Sequence, residues 1–213
     1  IVQMLSQAIP YAENERQQSV IRKLIEFYET GNLAVFDAYT ILWVEETEGE
    51  VDFTNGFTEV YGDPLGLKAS WEGYVNYTDH QATRRAQALS RNAQWFEDHS
   101  PVDARFKKPL CRGVSAKVIN AAILGGDLYP SSAIGINLPN SNWVRAEHGS
   151  KSVTIANLTH AYDEAARGNG FRNEFADSTQ TVSMMDRYGS ICDDLHTDLH
   201  ECLGHGSGRL LPG

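Results

Sequence analysis

The chain has 213 residues, of which 41% are apolar and 22% charged, and its formal net charge is −10. These proportions are globular and exclude collagen-like, disordered and coiled-coil chains. The acidity argues against a nucleic-acid partner, since such binders neutralise phosphates with Lys and Arg, and no apolar run approaches the roughly 20 residues of a membrane span. Three scattered cysteines (Cys111, Cys192 and Cys202) are too few for a disulfide framework, which favours a reducing compartment.

The first third of the chain predicts two helices and a strand. Apolar residues spaced three and four apart predict a helix over 13–28 that stops at Gly31. Residues 33–44 predict a second helix or its edge. Alternation over 51–61 predicts an extended segment, which closes at the Gly-Asp-Pro turn of 62–64.

The middle of the chain predicts a further helix and a β-rich stretch. Thr78 or Asp79 is predicted to cap a long polar helix that runs to about Phe96. We expect its arginines to form a solvated face: Arg84, Arg85 and Arg91. The β-branched and apolar residues of 117–138 predict two strands, or a strand and a loop, around a Gly-Gly break.

Helical patterns return from Ser152 onward, over 157–166 and 181–205. The order helix, strand, helix, strand, helix predicts an α+β fold with two lobes whose segments interleave along the chain.

The last predicted helix ends in His-Glu-Cys-Leu-Gly-His at 200–205. In the common HExxH motif, two histidines four residues apart share one Zn²⁺ and the adjacent Glu acts as base. Here the histidines are five residues apart, so an ideal helix would separate their side chains by roughly 140°. A one-residue π-bulge would bring His200 and His205 together, and Gly204 is where the backbone is least restricted.

The residues alone leave other interpretations open. His200 and His205 are also consistent with surface or capping histidines near a helix end, and His196 and His200 form an alternative pair at the usual spacing of four. Cys202 is expected to be a small buried apolar residue rather than a ligand. A structural zinc site fits poorly, because such sites usually have four Cys or His ligands.

Three segments together resemble a known family. His-Glu-Cys-Leu-Gly-His-Gly-Ser-Gly at 200–208 resembles the HExxGH signature of the dipeptidyl peptidase III family of zinc exopeptidases. Gly-Phe-Thr-Glu-Val-Tyr-Gly-Asp-Pro-Leu-Gly at 56–66 is similar to the family's Glu-x-Tyr segment, and 135–140 is similar to its Gly-Ile-Asn-x-Pro-Asn segment. The three matches occur in the family's order and at similar intervals.

The resemblance implies roles for seven residues. His200 and His205 would ligate zinc, and Glu201 would be the general base. Four residues would bind the substrate. Glu59 would bind its N-terminal ammonium group, with Tyr61 beside it. Asn137 and Asn140 would hold the peptide backbone. Trp43 and Tyr162 are weaker matches. Without the resemblance, each substrate-binding residue has an ordinary interpretation as a solvated acid, a core tyrosine or a turn asparagine.

The resemblance also implies a mostly helical zinc-binding lobe and a mixed lobe with a β-barrel core. On that basis residues 1–66 belong to the mixed lobe, 67–115 to the helical lobe, 116–150 to the β-rich lobe again and 151–213 to the helical zinc-binding lobe. Both lobes are expected to be only partly covered.

The chain departs from the family in the third zinc ligand. The family supplies it from a later Glu-Glu-x-Arg-Ala motif, which the 213 residues do not contain. We therefore expect an internal piece of a longer enzyme that is inactive or nearly so alone. It is expected to bind zinc weakly, and two imidazoles could hold a metal if Asp194, Asp198 or a neighbouring chain lent an oxygen.

The sequence thus predicts a zinc-dependent dipeptidyl peptidase that releases dipeptides from the N-terminus of oligopeptides. Its expected cofactor is Zn²⁺, its partners are oligopeptides rather than nucleic acid or membrane, and its expected location is cytoplasmic. The alternatives are another zinc metallohydrolase or endopeptidase sharing only the helix motif, and a non-catalytic peptide-binding domain. The oligomeric state stays open.

Overall fold

Helices and strands alternate along the computed structural model, which describes residues 1–67, 69–111, 114–130 and 132–211. The helices are α1 (Val2–Ala8), α2 (Glu15–Thr30), α3 (Leu33–Glu45), α4 (His80–Arg91), α5 (Ala93–His99), α6 (Asn142–Glu147), α7 (Ala156–Ala166), α8 (Phe171–Phe175) and α9 (Thr179–Leu199). The strands are β1 (Val51–Glu59), β2 (Ser70–Thr78), β3 (Val114–Gly126), β4 (Gly135–Leu138) and β5 (Ser150–Ile155). Within these described ranges, no helix has the length and apolar character needed to cross a bilayer.

The strands form one open sheet in the order β1-β2-β3-β5-β4. Neighbouring strands are antiparallel, except that β3 and β5 run parallel. The first half of β3 pairs with β5 and its second half with β2, so this long strand joins the two parts of the sheet. The short strand β4 lies at the edge, and its register places Asn137 opposite Ser152. The α+β class expected from the sequence is confirmed.

Local sequence explains helices α2 and α3, which lie where the sequence predicts them. The Asn14 side chain accepts a hydrogen bond from the Gln17 amide and caps α2. Gly31 ends α2 in the left-handed conformation, with φ 64°, which glycine adopts without steric cost. Buried residues of both helices form one core cluster with Leu138 of the edge strand, and this packing fixes β4.

Two expectations for secondary structure are wrong, and one strand was missed. Strand β2 was not predicted, and the polar helix ends at Asn92, where a short second helix begins, although Asp79 caps α4 as expected. The segment beginning at Ser152 continues strand β5 instead of opening a helix. All six residues of β5 are buried, and four of them are polar, so the strand has neither an alternating nor an apolar pattern.

The end of α9 is fixed by a buried ion pair. Arg85 of α4 was expected to be solvated, but its Nε donates to Oδ2 of Asp198 at 2.6 Å and its Nη2 lies 3.4 Å from Asp194. The other oxygen of Asp198 accepts from Thr154 Oγ1 of β5 at 2.7 Å. Because Asp198 is only 1% exposed, these contacts satisfy a carboxylate that water does not reach.

Replacing Arg85 with methionine is expected to destabilise the full-length protein. The substitution leaves Asp198 buried without its cation, a change that typically costs about 3–5 kcal/mol when both partners are buried. The Arg85 side chain is 33% exposed, so we expect about 1–3 kcal/mol. Thermal unfolding of the variant measures the loss. The matched variant Arg91→Met, at an exposed site on the same helix, should stay within about 0.5 kcal/mol of wild type; equal losses would contradict the assignment.

Candidate active site

The histidine motif forms a π-helical turn that continues α9 over His200–Gly204. The amide of His205 donates to the carbonyl of His200 at 3.0 Å, an i to i+5 bond that absorbs one extra residue. As a result the Nε2 atoms of His200 and His205 lie 3.0 Å apart. The predicted π-bulge is confirmed. A Cβ on Gly204 would meet only His200, at 4.0 Å, so close packing does not require glycine there.

Two side chains of the sheet hold this turn through the backbone of Glu201. Its carbonyl accepts hydrogen bonds from Ser152 Oγ at 2.7 Å and from Asn137 Nδ2 at 3.3 Å. The π turn takes this carbonyl out of the regular helical pattern, and the paired strands β4 and β5 supply its donors. Cys202 is buried against β3 and α4, as expected. The sequence analysis missed Ser152, because nothing distinguishes it within a strand of buried polar residues.

The carboxyl group of Glu201 is buried beside His200. Glu201 is 5% exposed, and its Oε2 has no hydrogen-bond partner within the described part of the chain. Burial raises its pKa to about 7. Gly135 makes room for it, since a Cβ at that position would lie 2.5 Å from Glu201 Oε1. Burial lowers the pKa of His205, and the charges of His200 and Arg145 lower it further.

A second carboxylate, Glu59, lies at the end of β1. Asn140 Nδ2 donates to Glu59 Oε2 and to the Thr58 carbonyl, each at 3.0 Å, and so ties the loop after β4 to β1. Burial raises the pKa of Glu59, and the bond from Asn140 opposes that shift. Tyr61 is 92% exposed. Glu72, a buried acid of β2, accepts from the Thr58 hydroxyl.

All seven predicted site residues line one cavity of about 440 Å³. They are Glu59, Tyr61, Asn137, Asn140, His200, Glu201 and His205. The fold thus brings together residues that are more than a hundred positions apart in sequence. Two acids that the sequence analysis missed, Glu72 and Asp127, line the same cavity. Asn137 Oδ1 is a second buried acceptor without a partner among the described residues.

The weaker candidates lie elsewhere. Trp43 is buried, and its Nε1 donates to Asp52 Oδ1 at 3.1 Å and to the Phe53 carbonyl at 2.8 Å. Tyr162 is exposed on α7. Both oxygens of Asp198 accept hydrogen bonds from other side chains, as described above, and Asp198 is not part of the metal-binding group found within the described ranges.

The donor atoms fit a zinc ion. Within the described ranges, His200, Glu201 and His205 form a group whose single ligand atoms all lie within 4.8 Å of one another. Two nitrogens bound to tetrahedral zinc are about 3.3 Å apart, and the two Nε2 atoms are separated by 3.0 Å. His196 is not part of this group. Two imidazoles and an adjacent carboxyl on one helical segment are typical of zinc hydrolases.

Comparison with known proteins identifies the family. The family model of peptidase family M49 matches residues 1–213, and the chain belongs to that family.

The relatives are considerably longer than this chain. Dipeptidyl peptidase 3 of Dictyostelium discoideum is 29% identical over 213 residues, which are 99% of this chain and 29% of that protein. Dipeptidyl peptidase 3 of Rattus norvegicus is 26% identical over 211 residues, which are 99% of this chain and 28% of that protein. A solved structure of DPP III from Caldithrix abyssi superposes with a TM-score of 0.79 at 21% identity, covering 97% of this chain and 38% of that one. The chain therefore spans less than a third of the curated relatives.

Proposed function

We propose that the full-length protein is a zinc-dependent dipeptidyl peptidase that releases dipeptides from the N-terminus of oligopeptides. The observation that carries the proposal is the single cavity in which an exposed histidine pair, a buried carboxyl group and an acid suited to an ammonium group occur together. The names of the relatives support the same activity.

His200 and His205 would hold the metal, with a third protein ligand supplied by the remainder of the full-length protein. When bound, Zn²⁺ would polarise the scissile carbonyl and lower the pKa of a bound water to about 7. Glu201, whose side chain lines the cavity, would accept the proton of the attacking water on its carboxylate and pass it to the leaving amine. The bonds from Ser152 and Asn137 keep the backbone of Glu201 in place during this transfer.

The peptide would lie with its ammonium group at Glu59. Asn140 orients that carboxylate through its 3.0 Å bond to Oε2, which leaves Oε1 for the substrate. Asn137 has its amide nitrogen bound to Ser152 Oγ at 2.6 Å, while its buried Oδ1 has no partner among the described residues. Asn137 lines the cavity, where it would hold the peptide backbone. A fixed anion at one distance from the metal makes cleavage depend on the chain end rather than on side chains.

Glu59→Gln is expected to raise the KM for peptides with a free N-terminus by about 10- to 100-fold, because a hydrogen bond between two charged groups becomes one to a neutral amide. The measurement is dipeptide release from a tetrapeptide by the full-length enzyme, with Glu164→Gln on exposed α7 as the matched control. N-acetylation of the substrate should act in the same direction on wild type. Equal cleavage of acetylated and free peptides would overturn the proposal in favour of an endopeptidase.

The same proposal includes the division of the full-length protein into two lobes. Residues 1–66 and 116–150 would contribute to a peptide-gripping lobe with a β-barrel core, and 67–115 and 151–213 to a helical zinc-binding lobe. The cytoplasmic location stays a prediction of the sequence.

A further inference from the structure

The two edge strands of the sheet are connected by side chains instead of backbone hydrogen bonds. Within the described ranges, β1 and β4 lie at opposite ends of the strand order, so no ladder joins them. The sheet nevertheless curls back on itself, and side chains connect β1 to the β4–β5 pair at two points. The separation between β1 and this pair is therefore set by side-chain contacts rather than by a backbone register.

The first connection is a buried ion pair between Lys151 of β5 and Asp52 of β1. Lys151 Nζ lies 2.8 Å from Asp52 Oδ2, and the Lys151 side chain is only 5% exposed. The same ammonium group lies 4.4 Å from the centre of the Trp43 ring. Trp43 in turn donates from Nε1 to Asp52 Oδ1 at 3.1 Å. Because either charge would be costly to bury alone, these partners hold the two strands in one arrangement.

The second connection is made by Asn140, which binds Glu59 and the Thr58 carbonyl as described above. Asn140 lines the cavity and belongs to the proposed substrate-binding residues. Lys151 and Asp52 are not among the described residues that line it. An effect of the ion pair on the reaction must therefore pass through the residues that it holds in place.

The ion pair joins the two parts of the candidate active site. Strand β1, which carries Asp52, ends at Glu59, the acid proposed for the ammonium group. Lys151 directly precedes Ser152, whose hydroxyl holds the carbonyl of Glu201 at 2.7 Å. The proposed function requires a fixed spacing between these parts, because release of a dipeptide places the ammonium group two residues ahead of the scissile bond.

We propose that Lys151 and Asp52 are positioning residues whose ion pair fixes the spacing between Glu59 and the π-helical turn of the histidine motif, and so selects the second peptide bond for cleavage. The inference rests on the proposed function. Without the pair, Glu59 and Glu201 both remain, but their separation is no longer fixed. A displacement of about 1 Å at a reacting group can cost a factor of 10² in rate, so the binding of the ammonium group would favour the second bond less.

Lys151→Met in the full-length enzyme tests this role through two ratios. The first is the rise in KM caused by Glu59→Gln, which should fall from about 10- to 100-fold in the wild-type background to about threefold or less, because the two changes act on one interaction. The second is the ratio of tripeptide to dipeptide in the first cleavage of hexa-alanine, which should rise about tenfold or more. A merely structural role would lower kcat through loss of folded enzyme and leave both ratios unchanged.

A second variant separates the effect from a loss of stability. Lys151→Met leaves Asp52 buried without its cation, whereas Lys151→Met combined with Asp52→Asn removes both charges, a change that is often neutral for stability. The asparagine side chain still offers Oδ1 to the indole of Trp43. Lys23→Met is the matched control, since Lys23 forms a partly exposed ion pair with Glu26 of the same helix at 2.6 Å. The control should keep both wild-type ratios.

The outcomes distinguish the inference from the proposed function. A weaker effect of Glu59→Gln together with more tripeptide, in the single and the double variant, supports the inference. A wild-type value of either ratio in the double variant overturns it and leaves the proposed function standing. Absence of dipeptide release by the wild type, or a KM that Glu59→Gln leaves unchanged in the wild-type background, instead overturns the proposed function.

Discussion

Glu201→Gln in the full-length enzyme is expected to lower kcat for dipeptide release by about 10²- to 10⁴-fold, the usual contribution of general acid–base catalysis. The substitution keeps the size and hydrogen-bonding reach of the side chain but removes its ability to accept a proton. Glu201 is 5% exposed and its Oε2 has no hydrogen-bond partner in the described structure, so the substitution breaks no hydrogen bond of that oxygen. The KM should change little, because Glu59 and Asn137 would bind the substrate.

Zinc content distinguishes this role from that of a ligand. Oε1 of Glu201 lies 4.0 Å from Nε2 of His200, close enough that coordination is a competing explanation. If Glu201 is the base, the variant retains zinc at the wild-type stoichiometry, as measured by metal analysis. Loss of both zinc and activity would make Glu201 a ligand, and retained turnover would remove it from either role. Glu164→Gln serves as the control for a neutralised exposed glutamate.

Gly135→Ala is expected to reduce kcat by about 10- to 100-fold with zinc still bound. A Cβ at this position would lie 2.5 Å from Oε1, 2.8 Å from Cγ and 2.9 Å from Cδ of Glu201, so the carboxyl group would have to move. A displacement of about 1 Å at a reacting group can cost a factor of 10² in rate. The measurement is kcat together with zinc stoichiometry in the full-length protein.

The chain offers a matched control for this glycine. Gly189 lies within α9, where a Cβ would meet nothing within 4 Å, so Gly189→Ala should leave kcat unchanged. It should also stabilise the helix by about 0.5–1 kcal/mol. In a Glu201→Gln background, Gly135→Ala should cause little further loss, because both changes act on one group. Full additivity of the two effects would show that Gly135 acts by another route.

The elements that could be predicted from the sequence are those in which the spacing of residue types along the chain follows directly from burial or from a shared ligand. The apolar spacing of α2 follows from burial of one helix face, and Gly31 marks its end as predicted. The spacing of five between His200 and His205 predicted the π turn, since two imidazoles that share a metal must lie on one side of the helix. The seven site residues came from the family resemblance, and the cavity contains all of them.

The rest depended on tertiary contacts that no local pattern encodes. Strand β5 is buried although four of its six residues are polar, because those residues find partners across the sheet and on α9. Arg85 has the sequence context of a solvated helix residue, yet it pairs with Asp198, 113 positions away. Lys108, Arg145 and Arg209 line one cavity beside His205. They come from two separate loops and the short helix α6, so their proximity follows only from the fold.

The bonds to the Glu201 carbonyl have a consequence for motion. Ser152 and Asn137 attach the last turn of the motif to strands β4 and β5, and Asp198 is attached to Thr154 one helical turn earlier. Among the described residues, no side chain of the sheet is hydrogen-bonded to the first half of α9, which exposes apolar side chains, including Met184 and Tyr188. The end of α9 that leads into the histidine motif is therefore expected to move together with the sheet. Bending of α9 would therefore occur ahead of Asp198 and would leave Glu201 fixed against strands β4 and β5.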